Sequence, residues 1–460
     1  MRGLSGRQIG GGLVVLAAAA IALLGAGGAG DAQALALIVL AIGLWATAAI
    51  PEHVTALLFF ALAMFFAVAP ASVTFAGFHA AATWLIFGGL VVGVAVTVTG
   101  LGARMAGRLA LLFGRSYAGI VFGMISVGVA LAFVMPSSMG RVMLLMPIAL
   151  ALAQRLGFAE GSKGRTAIVL ATISGAFLIP FSILPANVPN VVLMGVAEDL
   201  HGYVPTYGSW LLLHFPVLGA LKSITVGGLI LLLFRDRMPP PGADAPEAQQ
   251  ARGPLSPAER RLSLILALAL VGWVSDFAHG ISPAWISLAA AAACLLPGIG
   301  VLSTADFGKV NFSAVVYVAG ILGIGTLIAH SGWGARLGEA LISVAPLDPA
   351  QAVGNFATLI GIGVGVGLGT TLPGIPAVMT PFAGELATAA GLPLASVLMI
   401  QVLSFSTPLF AYQGPPLAVA VQLGWVTLAD ATKLLLGMAA VTAVVLFPLD
   451  YFWWRLLGAI

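Results

Sequence analysis

A fixed cation, Arg141, sits inside an apolar run one turn past Pro136-Ser137-Ser138-Met139-Gly140, in the stretch FVMPSSMGRVMLLMPIA (133 to 149). In hydrocarbon an unpaired charge costs about 3 kcal/mol or more, so Arg141 must be paired or line an aqueous cavity. No acidic residue is near it in sequence. An anionic ligand or the carbonyl ends of broken helices is then the natural partner. Hydroxyls recur at Ser137 and Ser138, and again at Thr370 and Thr371 in GVGLGTTLPGIPAVMTP (365 to 381). Asn187 and Asn190, around Pro189 in IPFSILPANVPNVVLMG (179 to 195), both donate and accept. Gln413, Gly414, Pro415 and Pro416 interrupt a fourth apolar segment. Hydroxyls, amides and unpaired N–H groups at helix starts, gathered around one cation, suit the binding of a small anion.

These residues need elements that hold them at membrane depth. The 460 residues are 60% hydrophobic and 8% charged, against roughly 25% charged in an ordinary soluble domain, so lipid is the main solvent of the surface. Spans of about 20 apolar residues recur about eleven times, which predicts an all-α polytopic membrane protein. Residues 2 to 34 imitate a signal peptide but run directly into the next apolar stretch, so 1 to 31 is taken as the first transmembrane helix. The Pro- and Gly-marked segments are expected to be two re-entrant hairpins, an inward one at 116 to 157 and an outward one at 350 to 391, and two broken helices at 166 to 200 and 394 to 424.

The only long polar stretch, rich in proline and charge, is 235 to 259, which reads as a cytoplasmic linker between a repeat at 32 to 234 and another at 260 to 460. Gly88, Gly93, Gly100, Gly102, Ala103 and Arg104 recur as Gly320, Gly325, Gly332, Gly334, Ala335 and Arg336, each 232 residues later. A repeat unit of five spans must insert the opposite way the second time, so the repeats are expected to be inverted. With a cytoplasmic N-terminus, Arg104, Arg108, Arg115, Arg155, Lys163, Arg165 and the basic residues from Arg235 to Arg261 fall inside, which obeys the positive-inside rule.

Lys222 poses the same burial problem as Arg141 in a weaker context. Glu385 is read as an interfacial group, a proton carrier or a partner for Arg141, and the lone Cys294 as core packing. No H-E-x-x-H or paired Asp motif points to an enzyme. A cation/proton antiporter wants an intramembrane Asp pair, for which the bundle offers only Glu385 and the span-end Asp276. An anion channel also uses re-entrant loops and stays open at this point. A lipid bilayer is the expected surrounding, a bacterial-type inner membrane the expected location, and nucleic acid is not an expected partner.

At these residues the chain resembles the divalent anion/sodium symporter family, the group of INDY-type dicarboxylate and sulfate carriers. The likeness runs through W-x-x-F-G-G-x-x-x-G at Trp84 to Gly93, the hairpin ending in Met146-Pro147-Ile148, the Pro-Asn break and the second-half Gly-Pro-Pro break. The family carries Ser-Asn-Thr ten residues before a proline. Here that position holds Ser137-Ser138-Met139 before Pro147 and Thr371-Leu372-Pro373 before Pro381. The resemblance implies a di- or trivalent anion as substrate, moved by sodium symport or anion exchange with elevator-type alternating access. It also implies a homodimer, no organic cofactor, and sodium ligation by Ser137, Ser138, Thr370 and Thr371. On this reading Ser137, Ser138, Asn190 and Thr371 hold the anion's oxygens while Arg141 offsets its charge.

Overall fold

A computed structural model describes residues 6–24, 31–47, 49–105, 116–238, 254–345 and 347–460. Residues 239 to 253 of the linker, and Arg108 and Arg115, lie outside them. Every regular element among the described residues is helical. Among the described residues six helices are long and apolar enough to cross a membrane: Ala81–Val98, Lys163–Ser182, Tyr207–Leu233, Phe312–His330, Ala352–Gly369 and Leu428–Leu456. A seventh arises if Gly374–Ala390 and Leu394–Phe405, bent by 116°, make one span. Shorter apolar helices such as Glu52–Phe65, Tyr117–Ala132 and Pro283–Leu295 fall below spanning length.

Glycine decides how closely the central helices approach. Ala81–Val98 packs on Pro283–Leu295, and Gly88 lies where a Cβ would meet the Ser287 carbonyl 2.6 Å away. Phe312–His330 packs on Glu52–Phe65, and Gly320 rests on Ala56, whose methyl would lie 2.5 Å from an added Cβ. The two glycines are 232 residues apart, and their partners nearly so. Phe215-Pro216 and Phe447-Pro448 repeat the same interval, and each lies at a π-helical turn, Phe215–Leu221 and Thr442–Leu446. Proline supplies no N–H to the helix ladder, which favours such local widening.

A charged contact is among the ties between the parts of the chain on either side of the linker. Ser256 caps Pro257–Val274 in a capping box with Glu259, and Arg104 Nε donates to Glu259 Oε1 at 2.6 Å. Burial pushes the Glu259 carboxyl up, but the Ser256 backbone N–H, Arg104 and the Ser256 hydroxyl together hold it below the usual carboxylate range. A carboxyl lowered in the folded state contributes stability above its unfolded pKa and loses it as pH falls through the folded value. Glu259→Gln is therefore expected to lower the melting temperature at pH 7, by the equivalent of about 1 kcal/mol, and to match the parent in strong acid. A pH series of melting curves checks this, and a gap that widens toward low pH would refute it.

Candidate functional site

The first hairpin tip runs from Phe133 to Ser137, between Tyr117–Ala132 and Ser138–Arg155. Ser137 caps the second arm, its Oγ accepting from the Gly140 N–H at 3.1 Å. Ser138 makes no side-chain hydrogen bond among the described residues, and the tip is only partly buried from Ser137 to Gly140, Met139 included. The first N–H groups of this helix, at Ser138 and Met139, have no partner within the helix and point out of its N-terminus. The tip lies on a glycine face of Ala81–Val98: a Cβ on Gly89 would meet Pro136 at 2.7 Å, and one on Gly93 would meet Ser137 at 3.8 Å.

The first broken helix unwinds where its prolines cluster. Lys163–Ile173 widens into a π-turn at Ser174–Leu178, continues through 3-10 turns at Pro180–Ser182 and Leu184–Ala186, and restarts as Val188–His201 with Pro189 in its first turn. Lipid offers these freed carbonyls no hydrogen-bond donor, so side chains must. Asn187 Nδ2 donates to Phe177 O at 3.0 Å, and Asn190 Nδ2 donates to Phe181 O and Ile183 O at 3.0 and 2.9 Å. Asn190 Oδ1 is buried without a partner.

Arg141 completes the set. Its side chain is fully buried and donates from Nε to Ala176 O at 2.8 Å, from Nη1 to Met135 O, and from Nη2 to Ala186 O at 3.0 Å and Asn187 Oδ1 at 3.2 Å. Four of about five guanidinium donors are thus used on the hairpin tip and the break. Glu385 takes no part; it lies in Ala383–Ala390, against Gly338. Of the two partners the sequence allows for this cation, carbonyl ends are the one observed. What remains for a ligand is its charge.

The second half is closed by different donors. At the end of Ala352–Gly369, Thr370 donates to Val366 O at 2.9 Å, Gln413 Nε2 to Gly367 O at 2.6 Å, and the Tyr412 hydroxyl to Leu368 O at 2.7 Å. Leu372 N–H donates to Gln413 O at 3.1 Å, so the second tip and the second break are tied together. The Tyr317 hydroxyl lies beside Thr371. Helix Leu394–Phe405 ends at Ser406, whose carbonyl accepts from Lys222 Nζ at 2.6 Å. After the break, Pro415 and Pro416 open helix Pro415–Gln422 and leave its first turn without those two N–H groups. A Cβ on Gly414 would stand 2.6 Å from the Phe177 ring of the first break and 3.8 Å from Leu372 of the second tip. Pro415–Gln422 also packs on the first hairpin arm Ser138–Arg155. Both tips and both breaks therefore converge.

The sodium:sulfate symporter transmembrane-region model matches residues 14–460. The chain belongs to that family. Its relatives include a membrane protein of Cupriavidus necator, 25% identical over 64% of this chain and 58% of that one, so the match spans little more than half of that relative. Inner membrane protein YbhI of Escherichia coli K12 is 22% identical over 83% of this chain and 81% of its own. The chloroplastic dicarboxylate transporter 2.2 of Arabidopsis thaliana is 24% identical over 85% and 73%. Among solved structures, the Alcanivorax borkumensis YdaH transporter superposes with a TM-score of 0.54 at 16% identity, over 84% of this chain and 88% of that one, a likeness of fold. Family membership makes this chain an integral membrane transport protein and not an enzyme.

The family uses sodium as coupling ion and no organic cofactor. Sodium needs several free oxygens on one centre. At the first break the carbonyls of Met135, Ala176 and Ala186 are taken by Arg141. At the second tip those of Val366, Gly367 and Leu368 are taken by Thr370, Gln413 and Tyr412, and Ser406 O by Lys222. The orphaned Asn190 Oδ1 is one ligand and makes no shell. The carbonyls at the tips and breaks are thus already served by built-in cations, amides and hydroxyls.

Gln413, Tyr317 and Phe177 join the neighbourhood without having stood out as binding groups in the sequence. Gln413 was legible only as the mark of a break, because its partner Gly367 lies 46 residues away.

Proposed function

We propose that this chain is a secondary carrier of a dianion of dicarboxylate type, working without sodium, with Arg141 as the permanent cation at the substrate chamber. The observation that carries the reading is the placement of Arg141: a buried charge anchored by helix-end carbonyls, one turn behind the N–H groups of Ser138 and Met139. A divalent anion at that helix start meets the positive end of the helix dipole and a cation that never leaves. The hydroxyls of Ser138 and Thr371 complete its oxygen contacts, while Asn190 spends its amide donors on Phe181 O and Ile183 O and so holds the break rather than the anion. The name of the plant dicarboxylate transporter supports a carboxylate over sulfate.

The reciprocal glycine packing of Gly88 on Ser287 and Gly320 on Ala56 supports two inverted repeats. The hairpins and broken helices share Arg141, Asn187 and the Leu372–Gln413 bond, and meet Ala81–Val98 through Gly89 and Gly93. A body bonded within itself and bounded by a smooth glycine face supports an elevator movement against a scaffold. The scaffold is the part by which two copies would pair. The distribution of Lys and Arg supports a cytoplasmic N-terminus in a bacterial inner membrane.

The test is counterflow in proteoliposomes. Vesicles loaded with unlabelled malate are expected to take up labelled malate at the same rate in sodium and in choline. Uptake seen only in sodium would overturn the sodium-free reading. Flux without exchange of label would indicate a channel.

A further inference from the structure

We propose that Asp450, paired at a distance with Lys222, is a proton-binding site that couples anion transport to the proton gradient, one proton travelling with each dianion. This rests on the carrier reading above. The sequence search for an intramembrane carboxylate named Glu385 and Asp276 and passed over Asp450, which lies in LFPLDYFWW. In the fold Asp450 has no exposure, and among the described residues neither carboxylate oxygen has a hydrogen-bond partner. A lone buried carboxylate with two unmet oxygens is costly when ionised, and a proton removes most of that cost.

Its surroundings are specific. Phe447–Leu456, which carries Asp450, packs on Tyr207–His214, on the π-turn Phe215–Leu221 and on Ala352–Gly369. The titratable groups these bring are Tyr207, His214 and, directly after the π-turn, Lys222; Ala352–Gly369 brings none. Tyr451 and Arg455 lie on its own helix, and Asp430 and Lys433 on Leu428–Val441. Of the cations among these, Lys222 is fully buried and directly follows the π-turn on which the Asp450 helix packs, whereas Lys433 and Arg455 are exposed. His214 is packed between Trp210 and Trp454, with neither ring nitrogen bonded among the described residues. Lys222 holds its ammonium on the Ser406 carbonyl, the negative end of helix Leu394–Phe405, which favours the charged form. Lys222 therefore links Asp450 to the second break. Both helices also widen into a π-turn just before the group in question, Phe215–Leu221 before Lys222 and Thr442–Leu446 before Asp450.

Charge balance sets the direction. With Arg141 and Lys222 cationic and Asp450 ionised, these three wholly buried charges sum to one positive charge. Lys222, bonded to Ser406 O, and Asp450, whose helix packs on Ala352–Gly369, travel with the hairpins and breaks, so a bound dianion leaves the moving body negative. Protonating Asp450 raises the sum to two and makes the loaded body neutral, the cheapest state to carry through lipid. The proton enters with the anion on the acidic side and leaves Asp450 on the other.

Purified full-length protein in proteoliposomes tests this with malate, the membrane potential held at zero by valinomycin and equal potassium. Acid outside is expected to drive accumulation up to about tenfold per pH unit for one coupled proton, with a malate-dependent acidification of entrapped pyranine. Asp450→Asn should exchange labelled for unlabelled malate yet lose the accumulation. Wild-type exchange that ignores the pH gradient, or Asp450→Asn accumulation equal to wild type, would overturn the coupling while leaving the carrier intact. Absence of exchange in the wild type would instead remove the carrier reading, and the coupling with it. Should Asp450→Asn fail to fold, Asp450→Glu decides: a shifted pH dependence of accumulation supports the site, and an unchanged one rejects it.

Discussion

Arg141→Ala is expected to reduce malate counterflow by more than about 100-fold, the equivalent of roughly 3 kcal/mol. The loss has two sources. The substitution removes the permanent charge bound to the first tip and break, so a dianion at the Ser138 helix start keeps the helix dipole and loses the cation. It also leaves the carbonyls of Met135, Ala176 and Ala186 without donors, and each orphaned buried acceptor costs about 1–3 kcal/mol. The melting temperature should therefore fall together with transport. Arg141→Lys separates the two effects. A lysine keeps the charge but cannot span three carbonyls and an amide as the planar guanidinium does. Its expected outcome is a protein of intermediate stability that still exchanges malate more slowly than the parent. A Lys variant as dead as the Ala variant would mean that the fork geometry matters more than the charge. An Ala variant that exchanges at the parental rate would remove Arg141 from the mechanism altogether.

Closing the approach between the first hairpin and the first broken helix should be nearly as damaging. Gly128 of the hairpin arm and Gly175 of the π-turn face one another: a Cβ on Gly128 would lie 2.5 Å from Ala176 N, and a Cβ on Gly175 would lie 2.7 Å from the Ile125 Cα. The obstructing atoms are backbone, so no rotamer change relieves the overlap. Overpacking costs about 1–3 kcal/mol even where side chains can move, and here the helices themselves must part. Because Ala176 O is a partner of Arg141, the displacement reaches the site directly. Gly175→Ala is expected to lower stability by about 3 kcal/mol and to remove exchange. Gly361→Ala is the control, since a Cβ there meets nothing within 4 Å, and it should leave both readouts unchanged. Equal behaviour of the two variants in melting and counterflow would show that the close approach is not what holds the break in place.

The residues that could be read in advance were those that violate a rule of their surroundings. A cation in an apolar run, three prolines and two asparagines in one intramembrane segment, and hydroxyls between two short apolar arms are all costly in lipid. Their cost makes them visible without coordinates. Lys222 stood out for the same reason. Asp450 did not stand out, because nothing within LFPLDYFWW marks the acid as buried. Only the packing of Phe447–Leu456 against Tyr207–His214 places it deep among Trp454, His214 and Lys222.

By itself the sequence determined the solvent, the helical class and the positions of the tips and breaks, since hydropathy, proline and glycine act over a few residues and need no tertiary partner. Which donor serves which freed carbonyl was decided by the tertiary structure alone. Arg141 reaches Ala186 across 45 residues, Gln413 reaches Gly367 across 46, and Lys222 reaches Ser406 across 184. The physical reason is that lipid supplies no hydrogen bonds, so every broken helix must find its partner elsewhere in the fold, and local sequence states only that a partner is needed.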